Sequence, residues 1–150
     1  MLCREQVARL LPHESALQTL GATLVFISTG EERWARTFAE DRGITGPVLI
    51  DTERAAYRAV SLKRTPGATF SMQAMKAGRR ALKAGFRQGR TQGDPWQQGG
   101  VFVVMPDGRV PFAYTSAFAG DHPDEQAVVR AVRDAVGGAL EETPQGTLRR

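Results

Sequence analysis

Near the start of the chain the apolar positions fall at helical spacing. Val7, Leu10, Leu11, Leu17 and Leu20 predict a helix over residues 4–20. Pro12 should kink or divide it, because proline lacks the N–H of an interior helical bond, and Gly21 should end it. The pattern then changes. Ala22 to Ser28 reads Ala-Thr-Leu-Val-Phe-Ile-Ser, a short, nearly all-apolar run of the kind found in strands covered on both faces. Ser28-Thr29-Gly30 caps a predicted helix over 31–42. Glu31 and Glu32 suit its positive N-terminal end, and Gly43 is its C′ residue. Trp34, Ala35, Phe38 and Ala39 form the expected buried stripe.

Pro47 to Ile50 predicts a second short strand, followed by a helix over 52–60. Residues 61–98 are punctuated by Pro66-Gly67, Gly78, Gly85, Gly89, Gly93 and Pro95, with a basic helical piece over 72–84. Val101 to Met105 is the clearest strand. Pro106-Asp107-Gly108 marks a tight turn, and 109–116 reads as the returning antiparallel strand. A last helix is expected over 123–137, capped by Asp121 or His122 before Pro123, with Val128, Val129, Val132 and Val136 facing inward. Strands alternating with helices, closed by a hairpin and a helix, indicate an α/β sandwich whose early strands are parallel neighbours. An α/β chain seldom opens on a helix, so a preceding element is expected to be missing.

Composition narrows the class. The 150 residues suit one domain, 41% hydrophobic content excludes a wholly disordered chain, and a single Cys excludes an internal disulfide framework. The longest charge-free apolar run, Leu20 to Gly30, falls short of the roughly 20 residues of a membrane helix. Arg4 and Glu5 stand where a secretory leader needs an apolar core, so a cytoplasmic location is expected.

The net charge of +4 hides an asymmetry: between Glu53 and Asp94 there is no acid, yet ten of the 20 Lys and Arg lie there. Such a segment attracts polyanions, or is a solvated insert whose acidic counterweight lies elsewhere. Aromatic residues in and beside it are too sparse for a base-stacking platform, and no zinc-finger or RNP pattern is present, so nucleic acid is not expected as a partner. His13 and His122 share no ligand spacing with Cys3, so no metal is expected.

Cys3 stands at the start of the first helix, beside Arg4. Unpaired N–H groups and a neighbouring cation favour the thiolate, the form that attacks peroxides and disulfides; Glu5 works against it. The same residue also reads as a small buried hydrophobe. Gln97-Gln98-Gly99-Gly100, before the strand at 101, offers donors, acceptors and close backbone approach, or is plain turn geometry.

Four segments together resemble the peroxiredoxin-like, AhpC/TSA-type antioxidant proteins of the C-x-x-C-R-E branch. They are Cys-Arg-Glu-Gln-Val-Ala-Arg-Leu (3–10), Leu-Gly-Ala-Thr-Leu-Val-Phe-Ile-Ser (20–28), Gly-Asp-Pro-Trp-Gln-Gln-Gly-Gly-Val-Phe-Val-Val (93–104) and Ala-Gly-Asp-His-Pro (119–123). Gln-Gln-Gly-Gly-Val-Phe-Val-Val is the most specific of them. The resemblance implies an α/β thioredoxin-like three-layer sandwich over 1–140, with a mixed sheet, a C-terminal β-hairpin and helix, and a flexible tail over 141–150.

It also implies that Cys3 occupies the second Cys position of the motif. The first would lie three residues upstream, so the chain is read as truncated at its N-terminus and lacking the first central strand. Where typical peroxiredoxins place an Arg this chain has Gly99, and it lacks the P-x-x-x-T-x-x-C pattern.

The implied function is thiol-dependent oxidoreduction. Cys3 would be the catalytic residue, and Arg4, Gln98, Gly99 and Gly100 would bind the substrate. The implied partners are a small peroxide or thiol/disulfide substrate and a thiol electron donor, with no cofactor and no membrane. The alternative is a catalytically inactive thioredoxin-fold binding module that holds an anionic partner on the basic segment 54–90.

Overall fold

Proline decides how the opening helix is divided. In the computed structural model, which describes residues 2–64, 72–83, 85 and 96–141, α1 (Leu2–Leu10) runs into one 3-10 turn at Leu11–His13. Pro12 lies in that turn's first positions, where a missing N–H forfeits no helical bond, and α2 (Glu14–Thr19) then resumes. Gly21, at φ 78°, turns the chain out of α2, with its N–H on the Gln18 carbonyl and that of Ala22 on Leu17, both at 2.9 Å.

Strand β1 (Phe26–Ser28) is shorter than the apolar run predicts. Ala22 and Leu24 instead pack against the core of Leu17, Val129 and Val132. The parallel expectation holds: β1 pairs with β2 (Val48–Ile50) in the register Phe26↔Val48, Ile27↔Leu49, Ser28↔Ile50. Helix α3 (Glu32–Arg42) makes the crossover and stops at Gly43, which is left-handed at φ 64°. Its stripe of Trp34, Ala35, Phe38 and Ala39 is only half-buried. Ser28 does not cap it; the Ser28 hydroxyl accepts from Gly30 N–H at 3.1 Å and closes the preceding turn.

Helix α4 (Ala55–Ala59) starts three residues later than expected, after Arg54, which holds the N-cap position in a left-handed conformation at φ 59°. The Asp51 carboxylate, further back, accepts from the N–H groups of Ala55 and Ala56, each at 2.9 Å. Helix α5 (Met72–Lys83) matches the predicted basic piece and lies on α1, with the small residues Ala77 and Ala81 buried.

Strands β3 (Gly100–Val103) and β4 (Phe112–Thr115) form the expected antiparallel hairpin, in a register from Gly100↔Thr115 to Val103↔Phe112. Helix α6 (Glu125–Glu141) begins two residues later than predicted. The Asp124 carbonyl accepts from Ala127 and Val128, so neither Asp121 nor His122 is the cap. Val128, Val129 and Val132 are buried as the periodicity requires.

The architecture is α/β and of the thioredoxin-like class: a βαβ crossover unit, then a hairpin and a closing helix. Among the described residues the strands form one parallel and one antiparallel pair, with no ladder between β1 and β3. The core joins α2, α6 and β3, leaving Ile27 and Leu49 on an open face of the parallel pair, 43% and 51% exposed. No described helix is long and apolar enough to cross a membrane. Residues 142–150, most of the predicted tail, lie outside the described residues.

Candidate functional site

The backbone of α1 places Cys3 and Arg4 in the helix's first turn, as the sequence predicts. The side chains of both lie outside the described residues. The next residue, Glu5, is an acid turned inward, only 4% exposed. Burying a carboxylate is expensive unless it is paired, and a partner comes from α5. Arg80 donates to it twice, Nε to Oε1 at 3.1 Å and Nη2 to Oε2 at 3.3 Å. The same Nη2 donates to the Gly120 carbonyl at 3.0 Å.

His122 completes this neighbourhood. Its side chain is 5% exposed and its Nε2 stands 3.8 Å from Glu5 Oε2, beyond a hydrogen bond. Among the described residues neither ring nitrogen has a hydrogen-bond partner. Burial pushes the imidazole pKa below its usual value; Glu5 and Asp121 pull it up, while Arg9 and Arg80 push it further down. Arg9 is itself engaged by Glu125 of α6 at 3.1 Å. Helices α1, α5 and α6 and the 116–122 segment therefore meet around the foot of α1.

The second predicted group, Gln98 to Gly100, lies at the entry to β3. The Gln98 carboxamide is engaged at both ends: Nε2 donates to the Ser116 carbonyl at 2.7 Å, and Oε1 accepts from Lys63 N–H at 3.1 Å. Gln97 Nε2 reaches the Leu62 carbonyl at 3.4 Å and that of Lys63 at 3.3 Å. The structure thus gives both glutamines the work of tying residues 62–64 to the hairpin. Gly100 has no room for a side chain, since a Cβ there would lie 2.6 Å from the Tyr114 carbonyl oxygen. At Gly99, among the described residues only Ser116 Oγ comes within 4 Å of such an atom, at 3.8 Å.

The two groups are linked through 116–122. Ser116 receives the bond from Gln98, and Gly120 receives the bond from Arg80. Asp121 braces the segment: Oδ1 accepts from the Tyr114 hydroxyl at 2.6 Å and Oδ2 from Ala117 N–H at 2.8 Å. That bond to a carboxylate, aided by burial, pushes the Tyr114 pKa up to about 12.

Sequence reasoning missed Arg80 and His122 as members of one cluster. Arg80 was one of ten cations in the basic segment, and its acidic counterweight lies 75 residues away. The available signal was Ala77 and Ala81 beside it, small residues that let α1 approach. Lys76, Arg79 and Lys83 of the same helix remain exposed. Among the described residues no group of three or more His, Cys, Asp or Glu is placed to hold a metal.

Residues 9–117 match the family described as AhpC/TSA antioxidant enzyme. The matched stretch includes Gln98 to Gly100 and begins after Cys3. The chain is similar to a Bos taurus protein named Peroxiredoxin-like 2C, 26% identical over 142 residues that cover 87% of this chain and 62% of the relative. The Homo sapiens and Mus musculus proteins of that name are each 25% identical with the same coverage. The chain thus spans 62% of the length of these curated relatives. No solved structure matches it.

Proposed function

The chain belongs to the AhpC/TSA antioxidant enzyme family, and we propose that it is a thiol-dependent oxidoreductase acting through Cys3 on a peroxide or a disulfide. The observation that carries this reading is the place of the chain's one cysteine, in the first turn of α1. There the unpaired helical N–H groups favour a thiolate, with Arg4 adding a cation. The relatives' names are in keeping with it.

The thiolate sulfur attacks one peroxide oxygen and the O–O bond breaks. Sulfur is oxidised to a sulfenic acid, and the departing oxygen takes a proton to leave as water or an alcohol. A thiol donor then displaces water from the sulfenic acid to give a mixed disulfide, and a second donor thiol releases Cys3 as the thiol with formation of the donor disulfide. In this scheme Arg4 and the Gln98–Gly100 loop bind the substrate. Gln98 holds the loop in place through Ser116 and Lys63, and Gly99 keeps its approach open. A cytoplasmic location, where thiol donors are plentiful, suits this cycle.

The test is to treat the reduced, folded chain with hydrogen peroxide and follow its intact mass, with and without a sulfenic-acid trap. One added oxygen, or one trap adduct, mapping to Cys3 is expected. An unmodified chain under conditions that oxidise a control thiol enzyme would overturn the proposal.

The exposed Lys76, Arg79 and Lys83 on α5 favour a second reading, an inactive module that holds an anionic partner. It predicts retention on a polyanion column at low salt, lost steeply as salt rises. Passage without retention rejects it.

A further inference from the structure

Helix α5 reverses the usual arrangement of a surface helix, in which large apolar residues face the core and charges face water. Toward α1 it turns small residues, Ala77 and Ala81, which are 3% and 0% exposed. Outward it turns large apolar ones: Met72, Met75 and Leu82 are 74%, 65% and 54% exposed. Helical spacing puts Met72, Met75, Arg79 and Leu82 on one outer face, with Lys76 and Lys83 alongside. Lys76, Arg79 and Lys83 are exposed, and among the described residues none of them meets an acid. Arg80 is turned aside to Glu5. No acid lies on α5, nor anywhere between Glu53 and Asp94.

We propose that this outer face of α5 docks the chain onto the anionic surface of a lipid bilayer. Charge sets the sign of the partner: three unopposed cations on an acid-free helix complement phosphate and carboxylate headgroups. The apolar residues set its kind. A nucleic acid, or any fully charged polymer, leaves Met72, Met75 and Leu82 in water. A bilayer receives them among its acyl chains while the stems of Lys and Arg carry their charges to the headgroups beside them. More than half exposed, the three side chains project outward, and a fluid surface moulds to them. No described helix is long and apolar enough to cross a membrane, so α5 lies on the surface and does not span it. This departs from the sequence expectation that no membrane is a partner. The proposal rests on the second reading above for the sign of the partner's charge, and it does not depend on Cys3.

The test is co-sedimentation of the full chain with phosphatidylcholine vesicles, with and without about one-third phosphatidylserine, over a range of salt. Binding to the anionic vesicles at low salt, weakened as salt rises, is expected, with none to the neutral vesicles. Arg79→Gln/Lys83→Gln should weaken it about 25-fold, because each cation near such a surface is worth about fivefold. Met75→Ser/Leu82→Ser keeps every charge and should still weaken it about tenfold. Arg33→Gln/Arg36→Gln, which removes equal charge from exposed positions on α3, should leave it within about twofold. All six positions are exposed, and circular dichroism checks that each variant folds.

No binding to the anionic vesicles, or equal weakening by the α3 and α5 charge pairs, overturns the proposal. So does binding that Met75→Ser/Leu82→Ser leaves unchanged, because charge alone would then account for it. The two readings fail separately. Retention on a polyanion column without vesicle binding sinks the lipid surface and spares the anionic-partner reading, with an acidic protein or a nucleic acid in its place. Vesicle binding by a chain whose Cys3 is oxidised by peroxide supports the docking face and removes only the inactivity from that reading.

Discussion

Tyr114 and Asp121 are joined by a 2.6 Å hydrogen bond from phenol to carboxylate, which anchors the 116–122 segment to strand β4. Tyr114→Phe removes the phenol and leaves Asp121 with only its bond from Ala117. Equilibrium unfolding should show a loss of about 1–2 kcal/mol. The bond also has a pH signature. The folded state holds the Tyr114 proton up to about 12, whereas an unfolded tyrosine releases it near 10. This contribution to stability is therefore fully present below pH about 10 and is lost between there and about 12. Ultraviolet titration that places Tyr114 at an ordinary value would refute the assignment.

Gly100 and Gly99 are adjacent but should respond differently to alanine. At Gly100 the new Cβ would meet the Tyr114 carbonyl oxygen at 2.6 Å and the Phe102 ring at 2.8 Å, inside the β3–β4 ladder. Backbone on the partner strand cannot step aside without loss of pairing, so Gly100→Ala should destabilise by about 1–3 kcal/mol. At Gly99 the only neighbour within 4 Å among the described residues is Ser116 Oγ, at 3.8 Å. Gly99→Ala should stay within about 0.5 kcal/mol of the parent. Denaturant midpoints measure both, and equal losses would contradict the geometry.

Gln98 ties Ser116 to Lys63 across the entry to β3. Gln98→Glu keeps an acceptor for Lys63 N–H but turns an oxygen toward the Ser116 carbonyl. A fall in stability of about 1–2 kcal/mol is expected, read as a lower melting temperature. An unchanged melt would mean that the carboxamide does not brace the loop.

His122 makes stability sensitive to mild acid. Its folded pKa lies below the ordinary value because burial disfavours the imidazolium. An unfolded histidine takes a proton near 6.5, so the unfolded state binds protons first and stability declines as pH falls through that value toward the lower folded pKa. His122→Gln should flatten the decline in denaturant midpoint between pH 7 and 5. A variant with the same slope as the parent would exclude His122 as its source.

The elements whose signals are local were legible in the sequence. Pro12, Gly21 and Gly43 punctuate the helices where expected, and the valine stripe of α6 is buried. Predicted lengths failed where a side chain found a distant partner or a nearer cap. Left-handed Arg54 precedes the late start of α4, Asp124 takes the cap position assigned to Asp121 or His122, and Ala22 and Leu24 serve the core instead of extending β1. At the site, the backbone placement of Cys3 followed from its position in the chain. The pairing of Glu5 with Arg80 did not, because no periodicity encodes an ion pair spanning 75 residues. Gln98 offers donors and acceptors by its residue type, and the fold engages them at Ser116 and Lys63.

The open face of the parallel pair affects how the molecule breathes. Ile27 and Leu49 face each other across β1 and β2 without burial, so little apolar packing resists separation of these strands. Valines 128, 129 and 132 of α6, by contrast, lie in or beside the core that also gathers Leu17 and Val103. Backbone amides at 26–28 and 48–50 should therefore trade hydrogen for deuterium through local opening well before those at 128–132, making the crossover half the first part to loosen.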